Sequence, residues 1–132
     1  MKILLTETNF SKLKDNIKKL QLENKTIIYS SNDDELNRTV IEKLPIDILL
    51  INLSGRKDFQ KQRNSGFNQV LAKAMKKKNI QLGINFDEIV EETNLNKKSE
   101  ILARIKQNIN LCNKEKIKMK FIKNFIVFVF LP

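Results

Sequence analysis

The chain contains no histidine and no tryptophan. Without histidine, the commonest general acid/base and the commonest metal ligand are both missing. A single cysteine, Cys112, excludes an intrachain disulfide, a cysteine-rich zinc site and CxxC chemistry, and points to a reducing compartment. There are three glycines, at 55, 66 and 83, and none forms a glycine-rich phosphate loop behind a strand. That argues against dinucleotide-binding and P-loop readings. The longest apolar run, 125–131, has seven residues, whereas a membrane-spanning helix needs about 20. The N-terminal run Ile3-Leu4-Leu5 ends too soon for a signal peptide. A cytoplasmic protein without a membrane partner is expected, and 132 residues suit one domain over 1–132.

Basic charge is abundant, with 25 Lys+Arg against 15 Asp+Glu and a net charge of +10. The 21 lysines, 17 isoleucines and 16 asparagines against 4 arginines are a bias typical of AT-rich coding, so placement is more informative than totals. Residues 1–54 carry 8 basic and 8 acidic side chains, whereas 55–132 carry 17 and 7. Within 55–78 there are 8 basic residues and one acid, Asp58. A codon bias would spread lysine evenly. The cluster reads either as a solvated helix face or as a surface for a polyanion, where phosphates release counterions on binding.

Apolar spacing alternates along the chain. Strands are predicted near 3–5, 26–30, 46–53, 80–86 and 117–122, from short β-branched and apolar runs. Between them, helices are predicted over 9–20, from a cap at 31–35 to Leu44, from Asn64-Ser65 to Lys78, and over 98–114. The acidic segment 87–96 is ambiguous, one helical turn and then a loop. Five βα alternations with continuous apolar strands predict a parallel sheet covered by helices.

The third helix places Phe67, Val70, Leu71, Ala74 and Met75 on a core-facing stripe, and Lys73, Lys76 and Lys77 on the other side. At its start, Arg63-Asn64-Ser65-Gly66 sets a guanidinium beside free backbone N–H groups, which suits phosphate, or else plain capping. On the fourth helix Ile101, Ile105, Ile109 and Cys112 share one face, flanked by Arg104 and Lys106, and Asn108 could reach a partner or base. Cys112 reads as a small buried hydrophobe. Asp87, Glu88, Glu91 and Glu92 follow a strand's C-terminal end, where paired carboxylates could hold Mg²⁺ or simply complement a helix dipole. No serine or threonine has a histidine partner, so no activated nucleophile can be assembled.

The stretch Gly55-Arg56-Lys57-Asp58-Phe59-Gln60-Lys61-Gln62-Arg63-Asn64-Ser65-Gly66-Phe67-Asn68-Gln69-Val70-Leu71-Ala72-Lys73 resembles the signature of ribonuclease P protein component 3. This is the archaeal counterpart of the thirty-kilodalton nuclear subunit. Ile84-Asn85-Phe86 and Ile101-Leu102-Ala103-Arg104-Ile105-Lys106-Gln107-Asn108 are also similar to family elements, as, more weakly, are Glu35-Leu36-Asn37-Arg38 and Asp47-Ile48-Leu49-Leu50. The resemblance covers about 25–122, leaving 123–132 as an apolar tail. Gln69 stands where the family often has histidine, and Phe67 where leucine is usual.

The resemblance implies a TIM-barrel-like α/β fold, here incomplete, since a whole barrel takes roughly 250 residues. It implies an accessory subunit of the ribonucleoprotein that removes 5′ leaders from precursor tRNA. Such a subunit acts with component 2, an RRM-like protein, on the catalytic domain of the ribonuclease P RNA. Catalysis would belong to the RNA and its Mg²⁺, with no cofactor and no catalytic residue on the protein. Candidate RNA contacts are Arg56, Lys57, Arg63, Asn64, Ser65, Lys73, Lys76 and Lys77, with Arg104 and Lys106 as a second patch. An open barrel exposes sheet edges, and 125–131 fits an edge strand that something must cover. Two other classes stay open: a general basic RNA- or DNA-binding module, and a degenerate metal-dependent hydrolase using Asp87, Glu88, Glu91 and Glu92.

Overall fold

A computed structural model describes residues 2–123. The apolar segment 125–131 lies outside the described residues. Five strands alternate with helices in the order β1 (Lys2–Leu5), α1 (Phe10–Leu22), β2 (Thr26–Tyr29), α2 (Asp34–Lys43) and β3 (Ile48–Ile51). Then come α3 (Gln69–Lys78), β4 (Gln81–Asn85), α4 (Phe86–Glu91), α5 (Leu95–Glu115) and β5 (Met119–Ile122). All pairings are parallel, and the strands lie side by side in sequence order, β1-β2-β3-β4-β5. Right-handed crossovers between sequential parallel neighbours put the helices on one side of the sheet. A doubly wound sheet would reverse its strand order; this one runs as a stretch of an α/β barrel.

The sheet also curls like one. Its edge strands are separated by four strand spacings, about 19 Å if flat. Yet Lys2 on β1 and Lys120 on β5 are close enough to interact, and that interaction, with some burial, holds Lys2 below the ordinary lysine range.

Strands β1 to β4 are buried on both faces, which is why they read as continuous apolar runs, whereas the edge strand β5 exposes Lys120 and Phe121. One face joins the helices in the main core, including Leu5, Ile27, Tyr29, Leu49, Ile51, Leu82 and Ile84 against Leu13, Ile17, Val40, Ile41, Leu71, Met75, Ile101 and Cys112. The concave face carries a smaller apolar cluster, Leu4, Ile28, Ile48, Leu50 and Ile122. Cys112 is fully buried, and desolvation pushes its thiol up to about 11. Among the described residues no helix is long and apolar enough to cross a membrane.

The helices begin where short polar side chains can satisfy free N–H groups. Asn9, Asp33, Asn68, Asn85 and Asn94 each accept from a first-turn amide. Thus α3 begins at Gln69 with Asn68 as its cap, not at Asn64-Ser65. The reason is Gly66, whose φ of +69° breaks any helix there. With Phe67 outside the helix, the stripe also shifts: Ala72 is buried, and Val70 is exposed rather than in the core.

Candidate nucleic-acid interface

Between β3 and α3 the chain makes a long excursion over residues 52–68, which holds most of the family-like signature. A loop of that length tends to be either functional or disordered, and this one is tightly pinned. Glu88 reaches across from α4 and accepts from the Leu53 amide at 3.0 Å and the Ser54 amide at 2.7 Å. Burial raises the Glu88 carboxyl above the ordinary range, opposed by those amides and by Arg56. Arg56 turns inward. Its Nε donates to the Asn52 carbonyl at 2.7 Å, and its fork grips both Asp34 oxygens at 2.9 and 3.0 Å, tying the loop to α2. Gly66 lies against that guanidinium: a Cβ there would sit 2.6 Å from Arg56 Nη2 and 2.9 Å from Ile51.

Arg104 pins the loop from α5. Its side chain is only 3% exposed, and it donates to the Asn64 carbonyl (3.0 Å), the Arg56 carbonyl (2.9 Å) and Asp58 Oδ1 (2.9 Å). Asp58 also accepts from the Asn64 amide at 2.9 Å, and this bond, more than Arg104, holds its carboxyl below the ordinary range. One turn further along α5, Gln107 donates to the Arg63 carbonyl and Ser65 Oγ, and Asn108 donates to the Ser65 carbonyl. Asn108 Oδ1 is buried with no partner.

The expected contact residues therefore divide into two groups. Arg56 and Arg104 are not free phosphate contacts, because their guanidiniums are occupied by carboxylates and carbonyls of the protein itself. Asn64 and Ser65 serve the turn: Asn64 Oδ1 accepts from the Gly66 amide, and Ser65 is buried. Asn108 faces the loop rather than a partner. The side chains of Lys57, Arg63, Lys73, Lys76, Lys77 and Lys106 are exposed. Lys61 joins them on the loop, and Lys78 on α3, its ammonium on the Glu42 carbonyl. Lys76 rests on the Lys116 carbonyl at 2.8 Å.

Sequence reasoning missed Asp34, Asp58, Glu88 and Gln107 as holders of the loop. One signal was present: Asp58 is the single acid in a stretch of 24 residues with eight bases, where a solvated face gives it no reason to be. The carboxylates considered for metal binding do not assemble. Glu88 is engaged by loop amides, and among the described residues no three His, Cys, Asp or Glu groups gather where an ion could sit.

No protein-family model matches the chain. No curated protein matches it either. Among solved structures, the fold is similar to that of a chain in the cryo-EM structure of archaeal ribonuclease P with mature tRNA, with a TM-score of 0.73 and 19% sequence identity. The match covers 91% of this chain and 49% of that one, so the chain spans about half the length of the solved protein it matches. At this identity the likeness establishes the shared fold: a parallel α/β sheet with flanking helices, resembling part of a TIM barrel.

Proposed function

We propose that this chain is a component 3-like accessory subunit of ribonuclease P, the ribonucleoprotein that removes 5′ leaders from precursor tRNA. In this reading it binds the catalytic domain of the ribonuclease P RNA together with the RRM-like component 2, in the cytoplasm. It meets precursor tRNA through the complex, and Mg²⁺ is bound by the RNA.

One observation carries the reading. The segment that resembles the family signature is the segment clamped by Arg56, Arg104 and Glu88, with Lys57, Lys61 and Arg63 exposed on it and Lys73, Lys76 and Lys77 exposed on the helix that follows. A fixed array of cations lowers the repulsion between RNA strands that must pack closely. Its binding gains the entropy of released counterions. The fold shared with a chain of a ribonuclease P structure supports the same assignment.

The test is reconstitution with precursor tRNA, catalytic RNA and component 2 at limiting Mg²⁺, with and without this chain. The expected result is faster cleavage with the chain present and a common peak on a sizing column. An unchanged rate without a complex would overturn the assignment. Cleavage by the protein alone would favour the hydrolase reading instead.

A further inference from the structure

A cavity of about 530 Å³ opens between the 59–68 loop, the start of α2, the start of α3 and α5. That is within the size range of small-ligand sites. Phe59, Arg38, Arg63, Asn68 and Gln107 line it. Phe59 is 63% exposed, which for one aromatic residue would be unremarked. Here the ring stands on a loop fixed on both sides, by Arg104 on the Arg56 carbonyl and Asp58 and by the bond from the Phe59 amide to the Gln62 carbonyl at 2.8 Å. With the backbone that carries the ring already fixed, only the side chain remains to be ordered when a flat partner stacks on it.

The charge around the ring is positive. Arg63 is exposed, and Arg38, 60% exposed, is engaged by Glu42 at the surface. The one acid on the wall, Asp34, is held by both arms of Arg56. The α3 N-terminus opens on the same space through Asn68 with no acidic residue in its own first turn, and the carboxylate nearest its first residue, Glu115, is engaged by the Gln69 side chain at 3.1 Å. Gln107 is oriented by its two bonds to the loop, which fixes an amide at the edge of the cavity.

We propose that this cavity takes one unpaired RNA nucleotide, with its base stacked on Phe59 and its phosphate between Arg63 and the start of α3. The inference rests on the RNA-binding reading above and adds to it the class of RNA recognised. A duplex hides the faces of its bases and meets the lysine field through its backbone alone. A splayed base can enter a concave site and stack.

The chain has no tryptophan, so Phe59→Trp introduces a single indole at the proposed stacking face. Full-length Phe59→Trp is titrated with a single-stranded decauridylate and with a ten-base-pair RNA duplex. Quenching by the single strand and little change with the duplex is expected. Phe59→Ala should weaken decauridylate binding about tenfold without altering its salt dependence. Arg63→Ala should lower the single-strand salt slope by about 0.7. Emission that stays unmoved when labelled RNA is fully bound, or wild-type affinity in Phe59→Ala, overturns the proposal.

Separate titrations with catalytic-domain RNA and with precursor tRNA identify which molecule supplies the nucleotide. The two readings also fail separately. Stimulation of the reconstituted enzyme with a silent indole removes the nucleotide site and leaves the subunit assignment. Quenching without stimulation does the reverse.

Discussion

Arg56, in the 52–68 loop, and Arg104, reaching into it from α5, are surrounded by carbonyls and carboxylates of the protein, while Lys73, Lys76 and Lys77, on α3, stand in solvent. The two sets carry the same charge, yet they answer different needs. A guanidinium is a planar fork with five donors, able to hold several acceptors in a fixed geometry and tolerant of burial. An ammonium is a compact, strongly hydrated point charge, suited to raising a potential. In a chain with 21 lysines and 4 arginines, the two arginines that are buried or nearly so, Arg56 and Arg104, stand where one ammonium could not span the acceptors, while Arg38 and Arg63 lie at the surface. The buried arginines shape the surface, and the exposed lysines give that surface its charge.

The sharpest way to break this division is Arg104→Ala. It leaves two part-buried carbonyls without their donor and opens a cavity in α5's inner face, and a loss of about 2–4 kcal/mol is expected, read as a fall in the urea midpoint at unchanged m-value. Arg104→Lys should recover only part of it, because one ammonium cannot span the same acceptors. Equal stability for lysine and arginine here would dissolve the distinction. Gly66→Ala should cost about 2 kcal/mol, from the left-handed backbone and the crowding of Arg56. The same urea titration measures it, and a neutral result would mean that Arg56 can leave Asp34 freely.

A smaller effect is expected from Glu88. Its raised folded-state pKa means that the native chain binds the proton more tightly than the unfolded chain does. On this account stability falls as pH rises above the unfolded glutamate value of about 4.3 and through the folded value. Glu88→Gln should flatten that slope in urea titrations from about pH 4 to 7. Asp58, with its lowered pKa, has the opposite sign, contributing stability at neutral pH that disappears on acidification. Least of all should change in Lys73→Ala/Lys76→Ala/Lys77→Ala. Its stability should stay within about 0.5 kcal/mol of wild type, while the salt slope of duplex RNA binding falls by about 2–3. An unchanged slope would make the α3 lysines a solvated face only.

The strands were legible because both faces are buried, so runs such as Ile48-Leu49-Leu50-Ile51 are apolar without interruption. Helices α1 and α2 announced themselves by periodicity and by caps at Asn9 and Asp33. The start of α3 was misread because Asn64-Ser65 and Asn68 are equally good caps by composition. The choice turns on Gly66, which has a positive φ and lies directly against Arg56. The site was legible as a concentration of charge, but not in its division into inner and outer residues. That depends on partners distant in sequence: Asp34 lies 22 residues from Arg56, and Arg104 lies 46 from Asp58. Helical spacing does place Arg104 and Asn108 on the inward stripe of Ile101, Ile105 and Cys112 and Lys106 off it, but no local pattern supplies the loop acceptors that Arg104 meets there.

Cys112 gives the molecule a built-in clock. It is the chain's single thiol, fully enclosed between α5 and the rest of the core, with its pKa near 11. A thiol-specific reagent can reach it only when α5 lifts, so the labelling rate counts openings of the helix that carries Arg104 and Gln107. The same residue can then report, without any engineered cysteine, how far a bound RNA slows the breathing of the clamp that presents its own binding surface.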